Sequence, residues 1–268
     1  MFTYYTIIGK DVNLLQGHVE NVKEYAGFDK LPCEKEFLVI VYKNSGIPES
    51  VTSEILNYCA SQDIRTYIYE EPTDSFLDNL YACWNLGYSE AKDGWIFRGG
   101  SDQVFSKNSI LETYNDAKRT QGEKITLQAN TIENINRNLD SRHLLFNLGD
   151  SFNNFNYLMF ENVCEYILNN PAIRDNRFIN IDKAIEAWGR PTSFNSSYGT
   201  INRCDGCSWI MTKENWVKYG PIPKMEKGIT GDVIIHDRMQ FDGFEQYIMN
   251  NCITYHFVRG ESKGFSQK

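Results

Sequence analysis

The sequence predicts an α/β fold: a mixed, mostly parallel sheet flanked by helices, with a less regular C-terminal half. Three observations point there. Short apolar runs alternate with segments of helical period through the first half of the chain. Phe37 to Tyr42, FLVIVY, is a continuous apolar run of the kind that a parallel sheet buries on both faces. The Trp95-Ile96-Phe97 run delivers a short acidic turn, Gly99-Gly100-Ser101-Asp102, and open α/β sheets gather ligands beyond such strand ends.

Taken in order, Thr3 to Ile8 reads as a strand and Asn13 to Tyr25 as a helix with Leu14, Val19 and Val22 on its apolar side. The FLVIVY strand stops at Asn44-Ser45-Gly46, and Pro48 opens a helix running to Ala60, proline being suited to a first turn. Arg65 to Tyr69 is the next strand, ended by Glu70-Glu71-Pro72. A helix capped by Thr73 or Asp74 follows, with Leu80, Trp84 and Tyr88 on one face, and leads to the Trp95 strand. Another helix starts near Asn108. Later come a strand over Glu123 to Ala129, a helix over Phe155 to Leu168, a strand over Ser208 to Met211 and a helix over Glu214 to Tyr219. Asp232 to Phe241 completes the helices, and Cys252 to Val258 is the final strand. Asn170 to Asn202 follows no single period. Strands alternating with helices imply right-handed crossovers and one ligand-binding edge.

Composition narrows the function classes. The 268 residues are 41% hydrophobic and 14% aromatic, without a linker-like segment, so one domain over 1–268 is expected. The net charge of −8 disfavours general attraction to nucleic acid or anionic membranes. No window approaches 18 uninterrupted apolar residues, and a soluble cytoplasmic protein is the expectation. Seven cysteines, an odd number set largely among apolar residues, suit a reducing compartment. Cys204-Asp205-Gly206-Cys207 has zinc-knuckle spacing, but no second pair completes a site, so it reads as a turn.

Chemistry concentrates in three places. In the Gly99 to Asp102 turn, two glycines let a backbone approach a diphosphate and Asp102 offers a hard oxygen to Mg²⁺ or Mn²⁺; the alternative is a helix-initiating loop with a solvated carboxylate. Asp232 stands where a loop meets a helix, as a base or as an N-cap. His256 lies at the end of the last strand, as a metal ligand or a half-buried strand histidine.

In that order the motifs resemble the GT-A glycosyltransferases, in particular the large inverting family, family 2-like, that uses nucleotide-activated sugars. CWNLGYSEAKDGWIFRGGSDQVF is similar to that family's run of Arg-Asn-x-Gly, helix, apolar strand and Asp-x-Asp. Asn85 and Gly87 match Asn-x-Gly, Ser101 and Asp102 match the end of Asp-x-Asp, and Gly100 and Trp84 stand where the first acid and the Arg are usual. Lys43 replaces the Asp of a Val-Asp-Asn-Gly-Ser turn, and Gly231 replaces an acid before Asp232.

The resemblance implies a nucleotide-sugar-binding half over 1–120 and an acceptor-binding half over 121–268. It implies a nucleoside-diphosphate sugar, such as a UDP-sugar, as donor, with Lys43, Asn85, Arg98, Gly100 and Ser101 toward it. It further implies Mn²⁺ or Mg²⁺ on Asp102 and His256, Asp232 as catalytic base, and an acceptor hydroxyl near Trp209 and His236, with Trp216 and Tyr198 in the same wall. His236 also reads as structural, and both tryptophans also read as core; His18 and His143 show no partner. The product would be a hexosyl or pentosyl transfer to a glycan. Two alternatives stand beside it: a viral enzyme acting on a hydroxymethylated DNA base, and a sugar-nucleotide-binding protein of the same fold without chemistry.

Overall fold

A computed structural model of the chain describes residues 1–43, 46–70, 75–133, 144–145, 147–171, 174, 176–180, 193–196, 199–202, 208–224 and 231–257. The first strand, β1 (Phe2–Ile8), is buried along its whole length. It leads into α1 (Val12–Glu20), capped by the Asp11 carboxylate on the Leu14 N–H, and α1 widens into a π turn over Asn21–Tyr25. Then follow β2 (Lys35–Lys43), α2 (Glu49–Ser61), β3 (Arg65–Glu70) and α3 (Phe76–Glu90). β4 (Trp95–Arg98), β5 (Gln103–Phe105) and α4 (Ser109–Arg119) close the first half.

The second half contributes β6 (Ile125–Glu133), β7 (Leu144–Leu145), α5 (Tyr157–Leu168) and β8 (Phe178–Asn180). A separate hairpin of β9 (Ser193–Ser196) and β10 (Gly199–Asn202) precedes β11 (Trp209–Thr212), α6 (Lys213–Tyr219), α7 (Gly231–Phe241) and β12 (Glu245–His256).

The main sheet runs β3-β2-β1-β4-β11-β6-β12-β5, with β7 beside β6 and β8 beside β12. β3, β2, β1 and β4 are mutually parallel, and so are β6 and β12. β11 runs against both its neighbours, and β5 and β8 run against β12. Strands of both halves of the chain therefore share one sheet, since β11, β6 and β12 lie between β4 and β5.

Alternation along each buried strand supplies two cores. Tyr4, Val39, Val41 and Phe97 face α1, α2 and α4, while Tyr5, Leu38, Ile40 and Ile96 face α3, α6 and α7. A third cluster joins α5 to the ends of β12 and β5. Each fully buried large apolar side chain contributes about 1.5–3 kcal/mol of transfer free energy.

The mixed α/β sheet agrees with expectation, and the departures have local causes. Ser75 caps α3, its hydroxyl accepting from the Asp78 N–H, whereas Thr73 and Asp74 lie outside the described residues. Pro48 is the N-cap of α2 rather than its first residue. The last strand begins at Glu245 rather than Cys252, because its polar start pairs with β6 and β8 and a register shift between Met249 and Ile253 interrupts the alternation. β5 is too short to show a period.

The Asn85-Leu86-Gly87 step has a packing explanation. Asn85 Nδ2 donates to the Ile222 carbonyl at 2.9 Å and its Oδ1 accepts from the Ile222 N–H at 2.8 Å, fixing the stretch that follows the cis Gly220-Pro221 bond. At Gly87 a Cβ would lie 2.3 Å from the Tyr5 ring, so α3 approaches β1 only because no side chain is there. Gly87→Ala is expected to destabilise the protein by about 1–3 kcal/mol through overpacking. A lower urea midpoint with an unchanged slope would show it.

Candidate functional site

β4 ends at Arg98, and the chain turns through Gly99 to Asp102 into β5, which pairs with the last residues of β12 so that His256 stands opposite Gln103. The Phe257 N–H donates to the Asp102 carbonyl at 2.9 Å. This closure brings His256 Nε2 to 3.1 Å from Asp102 Oδ2, across 154 residues of sequence. Asp102 is 8% and His256 6% exposed, so the two groups meet where water is scarce. Ser101 is buried beside them.

A buried polar network holds the turn from below. His18 Nδ1 lies 3.0 Å from the Gln103 carbonyl, which can only accept, so Nδ1 carries the proton and Nε2 accepts from the Tyr4 hydroxyl at 2.8 Å. Burial pushes His18 down to about 4 against the lesser, opposing pull of its bond to the Gln103 carbonyl, which keeps the ring neutral in neutral solution. The Gln103 amide oxygen accepts from the Gly100 N–H at 2.8 Å and from the Ser208 hydroxyl. Sequence reasoning found no partner for His18. Its signal was a lone polar residue on the α1 face that carries Leu14, Leu15 and Val19.

The two glycines that replace acids of the familiar pattern are now explained by space. A Cβ on Gly100 would lie 2.7 Å from Asp102 Oδ1, and one on Gly231 would lie 1.9 Å from the Pro223 carbonyl oxygen. An acid at Gly100 would displace the Asp102 carboxylate, and an acid at Gly231 would collide with main chain.

Asp102 and His256 offer a carboxylate oxygen and an imidazole nitrogen, a donor pair well suited to Mn²⁺. Among the described residues no cluster of three or more His, Cys, Asp or Glu could hold a metal. A cation on this pair would draw its remaining ligands from phosphate oxygens and water.

The other expected site residues fall into two groups. Lys43 ends its strand at the carboxyl edge of the parallel set, the edge where β12 ends in His256. α7 opens with the half-buried Asp232 and feeds β12 through a tight turn. Ile235, His236 and Met239 are buried, and Asp232 stands one turn before them on that sheet-facing side. The Lys43 ammonium is paired with Glu49 at 2.9 Å and Glu70 at 3.4 Å, hydrogen bonds that raise its pKa.

The second group is internal. The Arg98 guanidinium lies 3.5 Å from the centre of the Trp84 ring and 5.1 Å from that of Trp209, so Trp84 covers a cation from β4. Trp209 and His236, expected in the acceptor wall, are 1% and 2% exposed and pack on each other at 4.4 Å, with His236 Nε2 3.1 Å from the Gln128 amide nitrogen. Trp216 is likewise buried, stacked on Tyr88. These side chains support the site from within the core. Asn85 spends its amide on Ile222, as described above. Tyr198, His143, Asn44, Ser45, Thr230, Cys204 and Cys207 lie outside the described residues.

The sequence matches no protein-family model and none of the curated proteins. Solved structures do match. GalNAc-T7 with UDP, GalNAc and Mn²⁺ superposes with a TM-score of 0.57 at 9% identity over 96% of this chain and 43% of that one. A mannosyltransferase from Pyrobaculum calidifontis in complex with GDP-Man and Mn²⁺ gives 0.52 at 12% identity over 96% of this chain and 56% of its own. The fold is GT-A. TarS from S. aureus, at a TM-score of 0.52 and 9% identity, is covered over 36% of its length. This chain thus spans roughly a third to three-fifths of the length of its GT-A neighbours, and a viral origin finds no support among them.

The neutral His18 predicts a pH dependence. Its folded pKa lies below the unfolded value, so below about pH 6.5 the unfolded chain takes up a proton that the folded protein refuses, and stability falls as the pH drops toward 4. The full effect is about 3 kcal/mol. Urea titrations from pH 7 to pH 4 are expected to show His18→Gln less stable at pH 7 but flatter with pH by about that amount.

Proposed function

We propose that this protein is a divalent-cation-dependent, inverting glycosyltransferase that moves a sugar from a nucleoside diphosphate to an acceptor hydroxyl. The observation that carries the reading is the meeting of Asp102 and His256 at the carboxyl edge of a GT-A sheet. Neighbours of the same fold bind UDP or GDP-Man together with Mn²⁺.

On this reading Asp102 and His256 would hold the cation, which would supply positive charge to the leaving diphosphate. The glycine turn lets its backbone approach the phosphates, and the Gln103 amide fixes the Gly100 end of that turn. Lys43, at the end of β2, lies on the nucleotide side, its charge already shared with Glu49 and Glu70. Arg98, braced by Trp84 and Trp209, adds a buried positive charge behind the turn. Asp232 takes the proton of the acceptor hydroxyl as that oxygen attacks the anomeric carbon and the diphosphate leaves from the opposite face.

A specific observation favours a second reading, a sugar-nucleotide-binding protein without transfer. Both positions where the family pattern has additional acids are glycines with no room for a side chain as they stand. Binding and turnover separate the two readings.

Thermal denaturation with UDP-, GDP-, CMP- and dTDP-sugars, with and without Mn²⁺, is expected to show stabilisation only when nucleotide and metal are both present. Asp102→Ala should abolish that shift. Asp232→Asn should keep it while transfer falls by about 10²–10⁴-fold. Transfer close to wild type in Asp232→Asn would remove Asp232 from its role, and donor binding without transfer in the wild type would favour the second reading.

A further inference from the structure

Two cavities on the outer side of α1 and α5 share Tyr25 as a wall, and among the described residues none of the Gly99 to Asp102 turn lines either. One, of about 660 Å³, lies between α1 and the segment before α5; Gln16, Glu20, Glu24, Tyr25, Phe152 and Tyr157 line it. The other, of about 540 Å³, continues beyond Tyr25 between α4 and α5, past Glu161, Glu165, Asn108 and Asn251. Each falls in the range of about 300–1,000 Å³ typical of small-ligand sites. Two such hollows on either side of one shared ring suit an extended ligand better than a single small molecule.

The lining chemistry selects the ligand. Aromatic faces are supplied by Tyr25, Phe152 and Tyr157, with Tyr25 and Tyr157 rings 5.1 Å apart at 69°. Side-chain amides of Asn13, Gln16 and Asn153 on one side, and of Asn251 on the other, present donors and acceptors together, as sugar hydroxyls require, while the Asn108 oxygen already accepts from Lys30. Glu20, Glu24, Glu161 and Glu165 accept further hydroxyl hydrogens and repel anions. Lys107 and Arg177 do not reverse that sign, because five carboxylates, Glu20, Glu24, Glu112, Glu161 and Glu165, share the lining with them and Arg177 is bound to Asp116 at 2.6 Å and to Glu112 at 2.5 Å.

The walls are fixed to the candidate reaction centre. Asn21, in the π turn beneath the first cavity, exchanges two hydrogen bonds with the Phe105 main chain of β5. Phe152 packs edge-on against Phe257, whose N–H binds the Asp102 carbonyl.

We infer that this groove binds an uncharged oligosaccharide, either the acceptor glycan or a growing product. Its role as an acceptor subsite rests on the transferase reading above; its affinity for a neutral glycan does not. The inference favours a glycan over a nucleic acid acceptor, since phosphates would face the carboxylates.

The test is calorimetric titration of the whole protein, without donor or metal, with mannohexaose, the N-acetylglucosamine hexamer and xylohexaose. Binding of at least one at sub-millimolar strength is expected, weakened at least about tenfold by Tyr157→Ala and by the double variant Gln16→Lys with Asn153→Lys. The lysine pair alters exposed positions and removes no core contact, so it answers the question even where Tyr157→Ala fails to fold. Nucleotide-dependent thermal shifts should be unchanged in both variants, so a failed donor screen and a failed glycan titration are distinguishable. Absence of binding by all three hexasaccharides, binding indifferent to the lysine pair, or salt-sensitive binding of polylysine in place of any glycan would each overturn the inference.

Discussion

The pairing of a three-residue strand, β5, with the end of β12 is the contact on which the site depends. It closes a loop of about 150 residues at a cost that grows only slowly with length. The sheet already orders both partners: β12 is held by β6 along most of its length, and the turn before β5 is anchored by Gln103 and by the Tyr4 and His18 pair. Asp102 and His256 therefore meet without either having to be immobilised by a ligand. That is the condition for a cation site that binds with little reorganisation.

The support is polar rather than apolar for a reason visible in the backbone. The turn from β4 to β5 presents carbonyl and N–H groups toward a region already filled by aromatic rings, and buried main-chain groups need partners. His18 and Gln103 satisfy two of them while filling space. A fully apolar replacement would leave the Gln103 carbonyl and the Gly100 N–H unpaired, at about 1–3 kcal/mol each.

Much of the first half was legible because its strands are buried on both faces and its helices show a clear apolar side, as FLVIVY and Leu14, Val19 and Val22 do. The positions of Lys43 and His256 were legible because they end strands, and that of Asp102 because its turn follows one. What escaped was set by tertiary pairing. β5 is too short for a pattern, the polar start of β12 hides its strand, and the reversed direction of β11 follows from its neighbours rather than from its own sequence. Aromatic residues such as Trp209 have the same composition whether they line a cleft or fill a core, and here burial decides for the core. His18 could have been flagged by its place on an apolar helix face, but its partners, Tyr4 and Gln103, are defined only by the fold.

The glycines at Gly100 and Gly231 change the electrostatics as well as the packing. With one carboxylate and one imidazole, the Asp102 and His256 pair would bring a single formal negative charge to a dication. By itself such a pair would hold a divalent ion weakly. On the proposed reading a nucleoside diphosphate would add the missing oxygens and negative charge, and cation and donor would each raise the affinity for the other by the same factor. The loss of the first acid is thus compatible with a metal-dependent site, provided that metal and nucleotide bind as a unit. The steric fit of Gly100 under Asp102 makes that arrangement a property of the turn rather than of a missing side chain.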